Sequence, residues 1–390
     1  MPKPFKPGKF GFLLLVIALW YAALFLPTSF LVYEPGTAED VGPIVRVGPA
    51  AGGPGAGGPA ANGESPVRGE ERPGAGGSPE EDGGAIREEG GVFLLTTVRL
   101  SSASVLKFVQ AALSPDAELY RRSELFPPGQ TLEDYTRQQS FVMQSSQMSA
   151  IMAAYNALGI RFEVRPAAVY VAGVLDGMPA EGVLMPGDRI ERVDGRETRA
   201  TEDLLAAVRA RRVGEKVEVE FVRDGTHRQA EIPLGDMSSV NPDSEPGTPG
   251  IGVRLAEYRE IVPEDRAKEV RLTVENIGGP SAGLMFALEI YRQLTGETLA
   301  PGLRVAGTGE IRPDGSVGPI GGAHHKVVAA HRAGAHIFLV PEANYEEAVR
   351  KAERIGTGME IRPVRSLGEA LDILRSLSGR ERQDASREAA

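Results

Sequence analysis

The segment that limits the fold of this chain most strongly is residues 48–91. It contains fifteen glycines among prolines, alanines and acidic side chains. A segment with so few apolar residues cannot bury enough surface to offset the entropy lost on ordering it, and it predicts a flexible spacer. Ile44–Val47 before the spacer and Val92–Leu100 after it have the apolar character of strands. The folded cores must therefore lie outside residues 48–91, which form either a plain linker or an insertion between two paired strands.

The 24 residues from Phe10 to Tyr33 carry no charged side chain. As a helix they would extend for ~36 Å, which exceeds the ~30 Å hydrocarbon core of a bilayer. Three lysines precede this run and three acidic residues follow it, so the positive-inside rule places residues 1–9 in the cytoplasm and the later domains outside. A cleaved signal peptide is the alternative, but no small-x-small motif closes the run. The sequence therefore predicts a single transmembrane helix over residues 10–33, with the lipid bilayer as a partner.

Composition excludes several kinds of function. The formal net charge is −10, half of it within residues 61–90, and no basic patch suited to nucleic acid is present. The absence of cysteine excludes disulfides, thiolate metal sites and a cysteine nucleophile. Lysine is scarce, with eight residues against 35 arginines, so few side chains are available as a lysine base.

Residues 92–159 follow the spacer and are expected to join the membrane anchor to the next domain. They combine the strand at Val92–Leu100 with a methionine-rich helix predicted from Thr131 to Gly159, a natural helix cap. The methionines are interpreted as core-packing residues.

Residues 160–235 contain a recognisable series of strands and turns. Leu184–Ile190 reads LMPGDRI, and Asp194-Gly195 predicts a hairpin turn. The pattern L-x-x-G-D-x-I resembles PDZ domains, in which an extended peptide adds to a sheet edge beside a helix. The resemblance implies a peptide groove, whose residues the sequence does not assign. Leu158–Ile160 is a candidate carboxylate-binding loop, with a plain helix cap as the alternative, and a PDZ fold that serves only as a spacer is the competing interpretation.

Residues 278–283 read GGPSAG and place a serine between a predicted strand and a strongly apolar helix. Free N–H groups and the helix dipole at such a position can stabilise an oxyanion, and glycine lets a substrate carbonyl approach the backbone closely. Gly279, Ala282 and Gly283 are the candidate turn and oxyanion residues around Ser281. A tight strand–helix turn with a capping serine explains the same residues equally well.

Downstream segments distinguish these two interpretations. Gly307–Glu310 reads GTGE, Gly318–Gly322 reads GPIGG, and Lys326 follows four residues later. Together with the GPSAG turn, these segments resemble the Lon-type serine proteases. The resemblance implies that Ser281 and Lys326 form a Ser–Lys dyad and that Thr308 hydrogen-bonds the lysine. The wider order of anchor, PDZ domain and protease domain resembles a family of bacterial membrane-anchored PDZ proteases.

The residue types support this chemistry independently. A serine hydroxyl is a poor nucleophile without a base, and a lysine can be that base only when burial or positive neighbours lower its pKa from ~10.4. Among the lysines beyond the anchor, Lys326 alone lies in an apolar, glycine-flanked context beside the serine motif. In the predicted mechanism Ser281 Oγ attacks the peptide carbonyl, Lys326 Nζ passes the proton to the leaving amine, and Thr308 Oγ orients Nζ. An alkaline limb in the pH profile is expected.

The sequence departs from the Lon pattern in two respects. Many Lon-type proteases carry an acidic residue three positions before the serine, where this chain has Gly278. No G-x-x-x-x-G-K-[ST] phosphate loop occurs in the sequence, so neither nucleotide nor any other cofactor is expected. The protease is therefore expected to act without ATP on unfolded or flexible segments.

Three other functions fit part of the sequence. An α/β-hydrolase esterase would use Ser281 with Asp314 and a histidine, but few residues follow Ser281 and the H-G-G-G motif is missing. A catalytically inactive, membrane-tethered PDZ adaptor is a second alternative. A metal hydrolase would use His324, His325 and His331, but H-E-x-x-H is missing and adjacent histidines on a helix point in different directions, so no metal site is expected.

The predicted fold class is α+β multidomain, with a single N-terminal transmembrane helix. The remaining predicted segments are a PDZ domain with a small barrel-like sheet over 160–235, a linker over 237–250, a Lon-type α/β protease domain over 251–378 and a disordered tail over 379–390. The predicted location is the bacterial cell membrane, with the PDZ and protease domains extracytoplasmic. Protein or peptide substrates are the expected partners, and the Lon resemblance adds a homo-oligomer.

Overall fold

The structure is a computed structural model that describes residues 9–49, 90–126, 132–223, 225–274 and 277–388. The helices of this mixed α/β protein are α1 Lys9–Phe25, α2 Val105–Leu113, α3 Arg122–Leu125, α4 Leu132–Leu158, α5 Thr201–Arg209, α6 Gly283–Thr295, α7 Ala323–Arg332, α8 Tyr345–Ile355 and α9 Leu367–Glu388. The strands are β1 Pro27–Asp40, β2 Val45–Val47, β3 Val92–Ser104, β4 Glu118–Arg121, β5 Phe162–Val174, β6 Arg189–Val193, β7 Arg196–Glu197, β8 Lys216–Arg223, β9 Thr226–Pro233, β10 Gly235–Asp236, β11 Pro249–Gly250, β12 Val253–Pro263, β13 Val270–Leu272, β14 Arg304–Gly307, β15 Glu310–Ile311, β16 Val317–Gly318, β17 Ile337–Pro341 and β18 Glu360–Val364.

The chain divides into two compact units. The first unit comprises Met1–Val47, Glu81–Gly159 and Val270–Ala390, and the second comprises Gly48–Glu80 and Ile160–Glu269. Of the predicted cytoplasmic segment and spacer, residues 1–8 and 50–89 lie outside the described residues. The flanking strand β2 pairs with β13, whereas β3 pairs with β1 and β14, so the spacer does not join two strands that pair with each other.

A mixed sheet forms the centre of the first unit, with the strand order β18-β17-β14-β3-β1-β4. β3, β14, β17 and β18 run parallel to one another, and β1 is antiparallel to both β3 and β4. Ala306 of β14 lies between Leu94 of β3 and Phe338 of β17, and all three are buried. Val327 of α7 and Ala348 of α8 join the same core cluster. Buried parallel strands read as continuous apolar runs, which accounts for the sequence of β3.

A second sheet, with the order β12-β5-β6-β8-β9 and β7 paired to β6, organises the second unit. The predicted hairpin turn at Asp194-Gly195 joins β6 to β7, and both residues have the positive φ that such turns require, 51° and 72°. Asp188 of the LMPGDRI segment is buried and accepts hydrogen bonds of 2.7 and 2.6 Å from Arg223. This ion pair fixes the segment that leads from β5 into β6.

The prediction of a transmembrane helix over residues 10–33 is wrong. Helix α1 ends at Phe25, and strand β1 begins at Pro27 and pairs with β3. Proline lacks the N–H that a continuing helix needs, and the apolar Leu31 and Val32 are buried within the sheet of the first unit. None of the described helices combines the length and the apolar character that crossing a bilayer requires.

The structure groups several of the predicted segments differently. Residues 92–159, expected to join an anchor to the PDZ domain, supply β3 to the central sheet of the first unit and place α4 against α6. Residues 251–269, expected to open the protease domain, contain β12, which pairs with β5 along its whole length within the second unit. The predicted linker, 237–250, contains a 3₁₀ turn and β11, which pairs with β10. Helix α9 continues through residues 379–388 of the predicted tail.

Candidate active site

Ser281 lies in a tight turn between β13 and α6. Gly279 has a φ of 88°, which glycine adopts readily, and Pro280 begins a 3₁₀ turn that leads directly into α6. Ser281 is only partly buried, whereas the first nine residues of α6 are buried. The turn therefore presents one serine at the N-terminus of a helix that is firmly held in the core.

Helix α4 supports this turn from one side. The N–H of Gly279 donates to the carbonyl of Gln139 (3.0 Å), and the Ser146 hydroxyl donates to the carbonyl of Pro280 (2.8 Å). A Cβ at Gly283 would lie 2.8 Å from Ser146 Oγ and 2.8 Å from a methyl group on β15, so this close packing requires glycine. The sequence analysis missed both α4 residues, because isolated polar residues on a methionine-rich helix form no motif. The predicted first residue of that helix, Thr131, lies outside the described residues.

Lys326 reaches the serine from the first turn of α7. Its Nζ lies 2.5 Å from Ser281 Oγ and 3.0 Å from Thr308 Oγ1. Lys326 and Thr308 are 2 % and 0 % exposed, so water has little access to the lysine side of the contact. The structure thus brings together the three side chains to which the sequence analysis gave catalytic roles.

Thr308 fixes the position of the lysine amine. Its hydroxyl donates to the carbonyl of Ser281 (3.0 Å), which leaves the oxygen free to accept from Lys326 Nζ. The N–H of Thr308 donates to the carbonyl of Leu339 on β17 (3.0 Å), and the N–H of Gly309 donates to the carbonyl of Ser281 (2.7 Å). The segment after β14 therefore connects the turn at Ser281 to the central sheet through hydrogen bonds.

Burial lowers the pKa of Lys326 from 10.5 to about 7. The four other lysines after residue 100 each pair with a carboxylate: Lys107 with Glu34, Lys216 with Glu231, Lys268 with Asp265 and Lys351 with Asp116. Lys326 has two neutral hydroxyls as its partners instead, and these do not compensate a positive charge. At neutral pH a large share of Lys326 is therefore uncharged and able to accept the proton of Ser281.

Two of the three predicted oxyanion donors already donate their N–H groups to backbone carbonyls. The N–H of Gly279 donates to Gln139, and the N–H of Gly283 donates to the carbonyl of Pro280. Ala282 is the remaining predicted position, and it lies immediately before α6. Negative charge is favoured there by the helix dipole.

The residues of the esterase alternative have other partners. Asp314 lies in an exposed turn, where its carboxylate accepts the N–H of Ser316 (2.9 Å). His331 lies on α7 with its Nδ1 2.9 Å from Thr357 Oγ1. The basic group that contacts the serine hydroxyl is the lysine amine.

The side chains of His324 and His325 lie close together, although adjacent histidines on a helix were expected to point in different directions. Their ring centroids are 4.0 Å apart, and both rings approach Glu118 of β4, with Nε2-to-carboxylate distances of 3.0 and 3.7 Å respectively. The nitrogen and oxygen atoms that the three residues offer lie within 4.8 Å of one another. In the part of the chain that the structure describes, this is the group that could hold a metal ion.

Comparisons with known proteins match two regions of the chain. Residues 275–376 match the family described as Lon protease (S16) C-terminal proteolytic domain, and residues 156–234 match the PDZ domain. Lon protease 1 of Thermus thermophilus is 41 % identical over 96 residues, which are 25 % of this chain and 12 % of that protein. The mitochondrial Lon protease homolog of Neurospora crassa is 35 % identical over 109 residues, 28 % of this chain and 10 % of that protein.

A solved PDZ domain, that of an SdrC-like protein from Listeria monocytogenes, is 30 % identical to this chain. The match covers 23 % of this chain and 87 % of the Listeria domain, with a TM-score of 0.20. Because this TM-score is low, the PDZ assignment rests on the family match alone. The matched region amounts to about a tenth of the length of the curated relatives. The chain thus contains a PDZ domain and a Lon-type proteolytic domain of the serine peptidase class, and the latter includes Ser281, Thr308 and Lys326.

Proposed function

We propose that this protein is a serine endopeptidase in which Ser281 is the nucleophile and Lys326 the general base. The observation that carries the proposal is the 2.5 Å contact between Lys326 Nζ and Ser281 Oγ, made by a lysine that is 2 % exposed. A buried amine with a pKa near the operating pH, within hydrogen-bond reach of a hydroxyl, meets both requirements of general-base catalysis. The match of this region to the Lon proteolytic domain supports the same chemistry.

In the proposed acylation step, Ser281 Oγ attacks the peptide carbonyl carbon while neutral Lys326 Nζ takes the hydroxyl proton. The N–H groups of Ser281 and Ala282, at the start of α6, are the proposed donors to the oxyanion. The protonated amine then gives its proton to the leaving nitrogen, and an acyl-enzyme ester remains. A water molecule, deprotonated by the again neutral lysine, hydrolyses the ester and restores Ser281. Thr308 keeps Nζ directed at the reacting oxygen throughout.

The proposed substrates are protein segments that are already unfolded or flexible. The sequence contains no phosphate loop of the form G-x-x-x-x-G-K-[ST], so this chain has no evident means of using ATP to unfold a substrate. We therefore propose that cleavage proceeds without ATP.

The PDZ domain is the proposed selector of substrates. Strand β12 lies at the edge of its sheet, and the N-terminus of α5 contacts β12 where the N–H of Thr201 donates to the Glu257 carboxylate (3.0 Å). Because PDZ domains bind an extended peptide along a sheet edge beside a helix, β12 and α5 are the proposed walls of the groove. The sequence-based candidate Leu158–Ile160 fits the alternative better, since Gly159 has a φ of 66° and donates its N–H to Asn156 (3.2 Å) as a helix cap.

The test is cleavage of a reduced and alkylated model protein by the full chain, with and without ATP. The wild type should cleave equally in both conditions, and Ser281→Ala and Lys326→Ala should each abolish cleavage. Lys216→Ala is the matched control, because Lys216 is an exposed lysine paired with Glu231. Cleavage that persists in Ser281→Ala, or that appears only with ATP, would contradict the proposal.

The selector role has its own readout. Substrate bound to the uncleaving Ser281→Ala form should slow hydrogen exchange of the β12 amides, because an added peptide strand would pair with that edge. Unchanged exchange in β12, with substrate demonstrably bound, would remove the PDZ domain from substrate selection.

A further inference from the structure

Glu118, His324 and His325 converge from two elements of the first unit, and we name them the Glu–His–His cluster. Glu118 begins β4, and the two histidines lie in the first turn of α7. His324 Nε2 lies 3.0 Å from one carboxylate oxygen of Glu118, and His325 Nε2 lies 3.7 Å from the other. The cluster shares no side chain with the Ser–Lys dyad.

Three of the four ring nitrogens of the two histidines make no aligned hydrogen bond to the described residues. His325 is 1 % exposed, and neither its Nδ1 nor its Nε2 has a partner among the described residues. His324 Nε2 is likewise buried, and its 3.0 Å contact with Glu118 is an ion-pair contact that lacks hydrogen-bond geometry. A buried polar atom without a partner costs free energy, and a missing ion is one of the standard explanations for it. The two Nε2 atoms beside one carboxylate therefore point to a ligand that accepts nitrogen lone pairs.

The groups around the cluster orient its ligand atoms. A carboxylate oxygen of Glu347, on α8, contacts His324 Nδ1, which directs Nε2 toward Glu118. The Tyr120 hydroxyl donates to Glu118 Oε2 (2.7 Å), and the ring of Tyr33 packs edge-on against His325 with centroids 5.0 Å apart. A carboxylate that holds the far nitrogen of a histidine is the usual support of a metal-binding imidazole.

We propose that the Glu–His–His cluster binds a divalent transition-metal ion of the Zn²⁺ class. Two imidazole nitrogens with one carboxylate suit Zn²⁺ and its neighbours, whereas Mg²⁺ and Ca²⁺ prefer oxygen ligands. Tetrahedral ligand atoms at ~2.1 Å from zinc lie about 3.4 Å apart. The two Nε2 atoms lie 3.0 and 3.7 Å from different oxygens of Glu118, and one ligand atom from each residue lies within 4.8 Å of the other two, so side-chain rotations would complete the site.

The bound ion would join β4 to the first turn of α7. Lys326 follows His325 directly in that turn, so the metal would fix the helix end from which the lysine extends. The proposal assigns the ion no step in peptide cleavage and stands independently of the proposed function.

The test is a Zn²⁺ titration of the full chain after removal of metal with a chelator, followed by calorimetry and by the melting temperature. The wild type should bind one equivalent and melt at a higher temperature with Zn²⁺, because a ligand that binds only the folded state stabilises it. Glu347→Gln should weaken binding about 10–100-fold, as loss of such an orienting group does elsewhere. His324→Asn, which removes a ligand, should weaken it further.

His331→Asn is the matched control, since His331 lies on the same helix outside the cluster. It should bind Zn²⁺ like the wild type. His324→Asn carries the test because His324 is partly exposed, whereas replacing the buried His325 could unfold the helix. Substitution of Co²⁺ should produce the visible absorption of a tetrahedral site in the wild type and not in His324→Asn. Absence of saturable binding to the wild type, or wild-type affinity in His324→Asn, overturns the proposal.

Discussion

Replacing Lys326 with methionine should abolish proteolysis and, at neutral pH, stabilise the fold. Burial lowers the pKa of Lys326 from 10.5 to about 7, so between these two values the unfolded chain holds a proton that the folded chain has released. The stability of the wild type therefore rises with pH across this window, and the cost of burying the lysine is largest at pH 7 and below. Methionine has an unbranched side chain that fills irregular space and carries no charge.

The magnitude follows from the displacement of the pKa. One pKa unit corresponds to about 1.4 kcal/mol, so the displacement from 10.5 to about 7 costs the wild type about 4 kcal/mol at pH 7 and about 1 kcal/mol at pH 9.5. Methionine cannot hydrogen-bond the hydroxyls of Ser281 and Thr308 as the amine does, and each lost hydrogen bond lowers the stability of the variant by about 1 kcal/mol. Lys326→Met should thus gain about 2 kcal/mol of stability at pH 7 and lose about 1 kcal/mol at pH 9.5.

The assay is urea denaturation followed by circular dichroism at both pH values. Lys216→Met is the control, because Lys216 is exposed and pairs with Glu231, and its effect should not change between pH 7 and pH 9.5. A stability difference between Lys326→Met and the wild type that is the same at both pH values would refute the argument that a neutral lysine is buried beside the serine.

Three further results are expected. The kcat/KM for a quenched peptide should rise about tenfold from pH 6 to pH 8 and then level off, following a pKa of about 7 for Lys326; a rate still climbing above pH 9 would contradict this. Thr308→Val should lower kcat about tenfold with KM unchanged, since one hydrogen bond to Nζ is lost, and Thr308→Ser should recover most of it; a change confined to KM would argue for a different role. Gly283→Ala should destabilise the fold by about 1–3 kcal/mol in urea denaturation, because the added Cβ would lie 2.8 Å from two neighbouring atoms. The control Gly358→Ala should leave stability unchanged, since nothing lies within 4 Å of its added Cβ. Equal stability of the two variants would contradict the close packing at Gly283.

The meeting of Ser281, Thr308 and Lys326 could be predicted because each lies in a short segment whose glycines have a packing role. Gly309, next to Thr308, is an example, since a Cβ there would lie 2.7 Å from a methyl group of Val317. Such steric demands fix residue types at constant spacing, and a sequence pattern can report them. The α4 residues that support the turn, Gln139 and Ser146, meet it through single hydrogen bonds that impose no comparable pattern.

The N-terminal segment was mispredicted because hydropathy counts apolar residues without showing what covers them. Leu31 and Val32 are buried by the sheet of their own unit, and Pro27 was the local signal that the helix stops. The membership of the two units is harder to predict for a related reason, since it depends on pairings between distant residues. Phe93 of β3 pairs with Val305 of β14, more than 200 positions later, and no local pattern encodes that partnership.

The antiparallel pair of β5 and β12 brings the two ends of the PDZ-containing segment next to each other. Phe162 pairs with Pro263, and the N–H of Glu264 donates to the carbonyl of Arg161 (3.0 Å), so the chain enters and leaves this unit at neighbouring points. Joining residue 161 to residue 264 through a short turn would excise the unit without adding a long loop to the other. Any module with adjacent ends could be spliced in at the same place, so the proposed selector could be exchanged while the contact between Ser281 and Lys326 keeps its own scaffold.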